Sequence, residues 1–300
     1  LHNIFLKKQN RKKLQTSVRT IVLERETGKP IEIDVICPLG EGNFPLLVMS
    51  HGFRGSKDWG FLPYVAGELA KAGAIVIKFN FSCSGRRSGV EGFPAAELFA
   101  ENTVTTEIND LIFLIKAFVS ADSVNFNTIR SKFNGEILLW GHSRGAGVSV
   151  LAANKLNSDD ESSIKINKLT LWASIDKFDR TSQRLNSVWK EQGWISYDSG
   201  YGSQLRINYS YRQDLITNQY DRSLKGIIEG LTIPALFIHG QQDLAVKLNE
   251  IKELLANASS FVEFEVIEKA NHIFNITDER IESSKPLQKA LEMTIDFLLR

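Results

Sequence analysis

Glu136-Ile137-Leu138-Leu139-Trp140-Gly141-His142-Ser143-Arg144-Gly145-Ala146-Gly147-Val148 is the stretch on which the fold turns. An apolar run enters Gly-x-Ser-x-Gly and leaves it through small residues. That order describes a sharp strand-to-helix turn with Ser143 at its apex. Glycines are needed on both sides, because a Cβ there would collide with the neighbouring strand and helix. The turn lifts the Ser143 hydroxyl above the sheet. The helix N-terminus beneath it favours developing negative charge. The bare five-residue pattern is common, and its setting between a strand and a helix is what makes it specific. The plainer reading is a helix N-cap serine in a Gly-rich turn.

Working outward, the chain alternates strands and helices. Arg19 to Arg25 and Ile31 to Cys37 read as two strands joined by the Thr27-Gly28-Lys29-Pro30 turn, an antiparallel hairpin. Leu46 to Ser50, Ile75 to Asn80, Ile137 to Trp140, Leu169 to Ile175, Ala235 to His239 and Val262 to Ile267 are short apolar runs. Several are apolar at successive positions, as strands buried on both faces of a parallel sheet are. Between them, Ile108, Leu111, Ile112, Ile115 and Val119 follow helical spacing. Leu62 to Ala72, Gly145 to Lys155, Lys247 to Ala256 and Leu287 to Leu299 read as further helices. About eight strands in this alternation predict an α/β domain with a doubly wound, mostly parallel sheet.

The chain has 300 residues, 43% of them apolar and 24% charged, the profile of a globular domain and not of a disordered or fibrous chain. Lys plus Arg number 36 against 35 Asp plus Glu, a formal charge of +1. That balance gives no general pull toward nucleic acid. No apolar stretch reaches the ~20 residues of a membrane span. Two cysteines, Cys37 and Cys83, are too few for a disulfide framework, and they suit a cytoplasmic location. The basic run Lys7, Lys8, Arg11, Lys12 and Lys13 marks residues 1–18 as an N-terminal arm, read first as a solvated terminus and second as a phosphate-binding or targeting segment. The sequence starts at Leu1 and leaves open whether a signal peptide preceded it.

Three further points carry chemistry. Asp243, in His239-Gly240-Gln241-Gln242-Asp243, follows one strand, and His272, in Ala270-Asn271-His272-Ile273-Phe274, follows the next. A serine hydroxyl needs a neighbouring base, and the base needs an acceptor that fixes its tautomer. Ser143, Asp243 and His272 supply nucleophile, acid and base in that chain order. Asp176 and Asp179 compete for the acid role, because they follow the run Leu169 to Ile175. The third point is His51-Gly52-Phe53-Arg54-Gly55. The backbone N–H groups of Phe53 and Arg144 are the expected donors to an oxyanion. Arg54 reads either as a solvated loop charge or as a clamp for a substrate carboxylate.

These residues together resemble the α/β-hydrolase superfamily from about Arg19 to Arg300. Within it the chain looks like the dienelactone-hydrolase-like and acyl-aminopeptidase-like serine hydrolases, and like small cinnamoyl-type esterases with a similar His-Gly-Phe loop. The resemblance implies an eight-stranded sheet with a reversed second strand, helices on both faces, an insertion after strand six, no metal and no organic cofactor. Two features depart from it. Dienelactone hydrolases proper carry a cysteine nucleophile where this chain has Ser143. The loop Ser82 to Gly92, with Arg86 and Arg87, is looser than the usual tight glycine turn.

The stretch 176–230 shows no buried-strand pattern and exceeds an ordinary connection. It holds Tyr197, Tyr201, Tyr209, Tyr211 and Tyr220, with Trp189 and Trp194. Such an aromatic insertion is expected to form a lid that walls the substrate cavity, with Tyr201, Tyr209 and Tyr211 as substrate contacts. The expected activity is a serine esterase acting on a small-molecule ester. An acyl-aminopeptidase-like peptidase, an acyltransferase and a non-catalytic binding protein on a hydrolase scaffold are the other readings. The oligomeric state is left open, a homodimer being one option.

Overall fold

A computed structural model describes residues 13–277 and 281–299. Its main sheet contains β1 (Thr16–Leu23), β2 (Ile31–Pro38), β3 (Phe44–Ser50), β4 (Ile75–Phe79), β5 (Phe133–His142), β6 (Ile166–Trp172), β9 (Ala235–Gly240) and β10 (Val262–Ile267). A separate two-stranded sheet pairs β7 (Trp194–Asp198) with β8 (Gln204–Asn208). The order across the main sheet is β1-β2-β4-β3-β5-β6-β9-β10. β2 runs antiparallel to both neighbours, and every other adjacent pair is parallel.

The continuous apolar runs have the cause expected of them. Leu46, Val48, Ile137, Leu139, Leu169 and Leu171 face one core. Leu47, Met49, Leu138, Trp140, Trp172 and Ile238 face the other. Successive side chains point to opposite faces, so a strand covered on both sides must be apolar at every position. The helices Val104–Val119, Arg144–Asn157 and Tyr220–Glu229 contribute to the first core. The helices Leu62–Lys71 and Lys285–Leu298 contribute to the second.

Three sequence expectations are corrected. The run Leu169 to Ile175 is not strand to its end. β6 stops at Trp172, and Ala173 turns with φ +44°. Ile175 stays apolar because it packs over Gly147, so its hydrophobicity reports burial and not extension. The arm boundary also moves. Residues 1–12 lie outside the described residues, but Leu14 N–H donates to Lys71 O at 2.9 Å, and β1 already starts at Thr16.

The third correction concerns 176–230. This stretch contains the β7–β8 hairpin, and its last part, the helix Tyr220–Glu229, is the crossover that packs on Arg144–Asn157. Only the earlier part reaches the carboxyl edge of the sheet. The strands of the hairpin are short, and only Ile195, Leu205 and Ile207 are buried in them. That pattern is too brief to stand out from the polar residues between.

Candidate active site

β3, β5, β6, β9 and β10 are parallel neighbours, so the loops leaving them meet at one edge. Open α/β sheets bind ligands at that carboxyl edge. His142 ends β5, and Ser143 follows with φ +54° and ψ −120°. Such a conformation in a residue other than glycine costs on the order of 1–3 kcal/mol and persists only where its surroundings impose it. Here Ser143 N–H donates to Trp172 O at 2.9 Å, and Ser143 O accepts from Ala146 N–H at 3.0 Å. The glycines have the predicted steric reason. A Cβ on Gly145 would lie 2.4 Å from Ser50 O, and one on Gly141 would lie 2.5 Å from the Ala146 Cα. The elbow is therefore wedged between β3 and its own helix.

The same close approach brings the β3 loop to the serine. A Cβ on Gly52 would meet the Ser143 Cβ at 3.1 Å. Phe53 follows Gly52, so its N–H lies in the loop beside the elbow. Among the described residues, neither the Phe53 nor the Arg144 N–H donates to a protein acceptor. Two uncommitted donors beside a strained serine suit an oxyanion. His51 buttresses this loop. Its Nδ1 donates to Gly52 O at 2.9 Å and its Nε2 accepts from Phe81 N–H at 3.3 Å. Burial pushes its pKa down to about 4, which keeps this neutral tautomer.

Asp243 Oδ2 accepts from His272 Nδ1 at 2.7 Å. Its Oδ1 accepts from the N–H groups of Ala245 and Val246, both at 2.9 Å. The residue is 3% exposed. Burial works against its charge, but the hydrogen bond and charge of His272 outweigh burial and hold the pKa below the usual carboxylate range. With Nδ1 committed to Asp243, Nε2 is the ring's remaining proton site. Asp176 and Asp179 are engaged elsewhere, by Arg180 and Arg212. The structure thus sets Asp243, and neither competitor, against the histidine.

His142 was read only as part of the turn. It is buried, and its Nε2 donates to His272 O at 3.1 Å, tying the histidine loop to the elbow. Burial pushes its pKa down to about 3, with the neighbouring His272 acting in the same direction. The unfolded chain takes up this proton near pH 6.5 and the folded chain only near 3. The His142 contribution to stability is therefore complete above about pH 6.5 and is lost as pH falls toward 3. Asp110, which burial raises to about 6, acts in the opposite sense between pH 3.8 and 6, so the useful quantity is a difference. Between pH 5.5 and 4, unfolding free energy should fall by about 1.4 kcal/mol more per pH unit in the wild type than in His142→Gln. Urea titrations across that range test it, and equal slopes would remove His142 from the account.

A cavity of about 640 Å³ opens at this edge, lined among others by Phe53, Ser143, Arg144 and His272. Its aromatic wall comes from Trp59, Phe178, Trp189, Tyr197, Tyr201 and Tyr211. Two of the three tyrosines expected there are present. The third, Tyr209, is not a lining residue and packs its ring 6.1 Å from that of Trp189. Tyr197 is not among those three; two residues beyond the buried Ile195 along β7, it shares the inward face of that strand. Arg144 is paired with Glu107, its guanidinium 4.6 Å from the Phe53 ring. Burial opposes its charge, but Glu107 and Tyr211 outweigh burial and raise its pKa. Arg54 is exposed and donates to Asp198 O at the end of β7. Among the described residues no cluster of three or more His, Cys, Asp or Glu is placed to hold a metal ion, and no helix is long and apolar enough to cross a membrane.

No protein-family model matches the chain, and no curated protein does. Solved structures do match. Est1E from Butyrivibrio proteoclasticus, with ferulic acid bound, superposes with a TM-score of 0.63 at 15% identity, over 93% of this chain and 100% of that one. Alpha/beta hydrolase domain-containing protein 10 from mouse gives 0.61 at 18% identity, over 94% and 98%. A dienelactone hydrolase from Anabaena variabilis gives 0.57 at 12% identity, over 95% and 98%. At these identities the likeness is one of fold.

Proposed function

The chain has the α/β-hydrolase fold, and on that premise we propose that it is a serine hydrolase cleaving carboxylic esters through an acyl-enzyme. The observation that carries this reading is the Asp243–His272 hydrogen bond of 2.7 Å at a cavity that also contains Ser143 in its strained turn. Ser143 Oγ attacks the acyl carbon while His272 Nε2 takes its proton. The N–H groups of Phe53 and Arg144 hold the negative oxygen of the tetrahedral intermediate. Collapse expels the alcohol, which receives the proton from His272. Water, deprotonated by the same nitrogen, then releases the acid and restores Ser143. Asp243 keeps the imidazole in the tautomer with its proton on Nδ1 and stabilises the imidazolium.

The aromatic wall favours an aromatic or medium-length acyl group, and the ferulic acid bound by Est1E accords with that. A fluorophosphonate should label Ser143. Aryl esters should turn over, and aminoacyl anilides should turn over far more slowly. An adduct on another serine, or preference for anilides, would overturn the esterase reading.

The insertion provides a separate test of the lid. Tyr197→Ala and Tyr201→Ala should each lower the ratio of kcat/KM for a bulky aryl ester to that for the acetate ester, by roughly 10-fold. Tyr209→Ala reaches the cavity only through Trp189 and should change the ratio less. Unchanged ratios in the first two variants would show that the hairpin is not the pocket wall.

A further inference from the structure

The two donors assigned to the oxyanion come from different loops, and among the described residues no backbone hydrogen bond joins those loops. The Arg144 N–H opens the helix Arg144–Asn157 and is fixed by the elbow. The Phe53 N–H sits in the loop after β3. That loop is closed by Gly55 N–H, which donates to Gly52 O at 3.0 Å, and by the His51 ring on the same carbonyl. Among the described residues, neither the N–H nor the carbonyl of Phe53 takes part in a hydrogen bond. Arg54, next in the chain, has φ +59°, a conformation that persists only where its surroundings impose it. The Phe53 peptide is thus held through its side chain.

Arg144 is buried, and Glu107 of the helix Val104–Val119 pairs with it. Its guanidinium carbon lies 4.6 Å from the Phe53 ring centre and 5.6 Å from that of Tyr211, on the helix Ser210–Asn218. A guanidinium out of water is attracted to an aromatic face more strongly than an exposed one. Phe99 and Tyr197 also touch the Phe53 ring, at 5.6 Å and 5.4 Å, but neither belongs to the elbow. Glu107 is buried as well. Its Oε1 also accepts from Asn102 Nδ2 at 2.8 Å, and among the described residues its Oε2 has no partner. So incompletely satisfied a buried pair is poor evidence of a gain in stability, and its place beside the Phe53 loop gives it another use. We propose that the Arg144 side chain positions the oxyanion hole: anchored by Glu107, it grips the Phe53 ring and so sets the Phe53 N–H beside the N–H of its own residue. One residue then supplies the first donor from its backbone and aligns the second through its guanidinium.

The inference rests on the esterase reading, and the test separates the two. Removing either member of the pair alone leaves a buried charge unpaired, so both are neutralised together in Arg144→Met/Glu107→Gln. Turnover of 4-nitrophenyl butyrate is normalised to the Ser143 labelled by fluorophosphonate, so that unfolded protein does not count. In the double variant kcat should fall roughly 10-fold to 100-fold, less than the loss of a whole donor, with KM within about 3-fold of wild type. Benzyl trifluoromethyl ketone adds to the serine oxygen as a tetrahedral oxyanion, the proton passing to His272, whereas benzyl methyl ketone binds as the carbonyl. Inhibition by the first should weaken by about the factor lost in kcat, and inhibition by the second should not change. Phe53→Leu keeps the N–H and loses the ring. It should cost about as much, and joining it to the double variant should cost less than about 3-fold more. Arg144→Lys, which keeps the charge, should fall between wild type and the double variant. A merely structural role would raise KM or weaken both ketones together, and losses that multiply would show that Arg144 and Phe53 act apart; either result overturns the proposal. If no ester is cleaved and phosphonate leaves Ser143 unlabelled, the esterase reading fails. The hold on the loop is then read from hydrogen exchange of the Gly55 N–H. Exchange about 10-fold faster in the double variant supports the proposal, and equal exchange overturns it.

Discussion

Ser143→Ala should lower kcat by roughly 10⁴–10⁶ while leaving the fold in place. The groups that hold the elbow do not involve the hydroxyl: the Ser143 backbone bonds to Trp172 and Ala146, and the glycine contacts with Ser50 and Ala146. Alanine keeps all of them and removes only the hydroxyl oxygen proposed to attack the substrate. The thermal midpoint should therefore stay close to that of the wild type, and phosphonate labelling should vanish. Activity within 10-fold of wild type would show that another group attacks the substrate.

Asp243→Asn should cost on the order of 10⁴ in kcat, by analogy with the same change in other serine triads. The mechanism is local. The asparagine carbonyl can still accept from the Ala245 and Val246 N–H groups, which Oδ1 now binds. The amide NH₂ then faces His272 Nδ1, where a carboxylate oxygen stood. A donor at that place forces the imidazole proton onto Nε2, the nitrogen that must act as base. Asp176→Asn and Asp179→Asn remove partners of Arg180 and Arg212 and should cost less than 10-fold. A large loss in either of these, with Asp243→Asn near wild type, would move the acid to the loop after β6.

Much of this site was legible because each of its residues leaves the carboxyl end of a strand. A parallel sheet collects those ends at one edge, so chain order and strand position already bring Ser143, Asp243, His272 and the Phe53 loop near one another. The elbow glycines were legible for a harder reason: a Cβ on Gly141 or Gly145 would lie 2.4–2.6 Å from backbone atoms, distances at which no side chain fits. The sequence favoured Asp243 as the acid and left Asp176 and Asp179 as competitors. Asp176 also follows an apolar run, and only Ala173, turning that run away from β6, shows that it is loop.

The insertion marks the other limit. Its aromatic content announced a wall, but tyrosines two positions apart at the start of a helix face nearly opposite ways. Tyr211 lines the cavity while Tyr209 packs behind it on Trp189, and Tyr220 belongs to a crossover helix where it bonds Thr105. The Arg144 side chain and His142 went unassigned for the same reason. Their surroundings depend on partners distant in sequence: Glu107 and Phe53 for the arginine, the His272 carbonyl for the histidine. What the sequence by itself determined was the layered sheet, the elbow and the order of the three candidate catalytic types, because strand periodicity and backbone sterics act over a few neighbouring residues. Which aspartate reaches the base, which aromatics wall the cavity and which side chain bears on the Phe53 ring were decided only by tertiary structure. Those outcomes depend on hydrogen-bond geometry and desolvation between segments that meet only after the sheet has assembled.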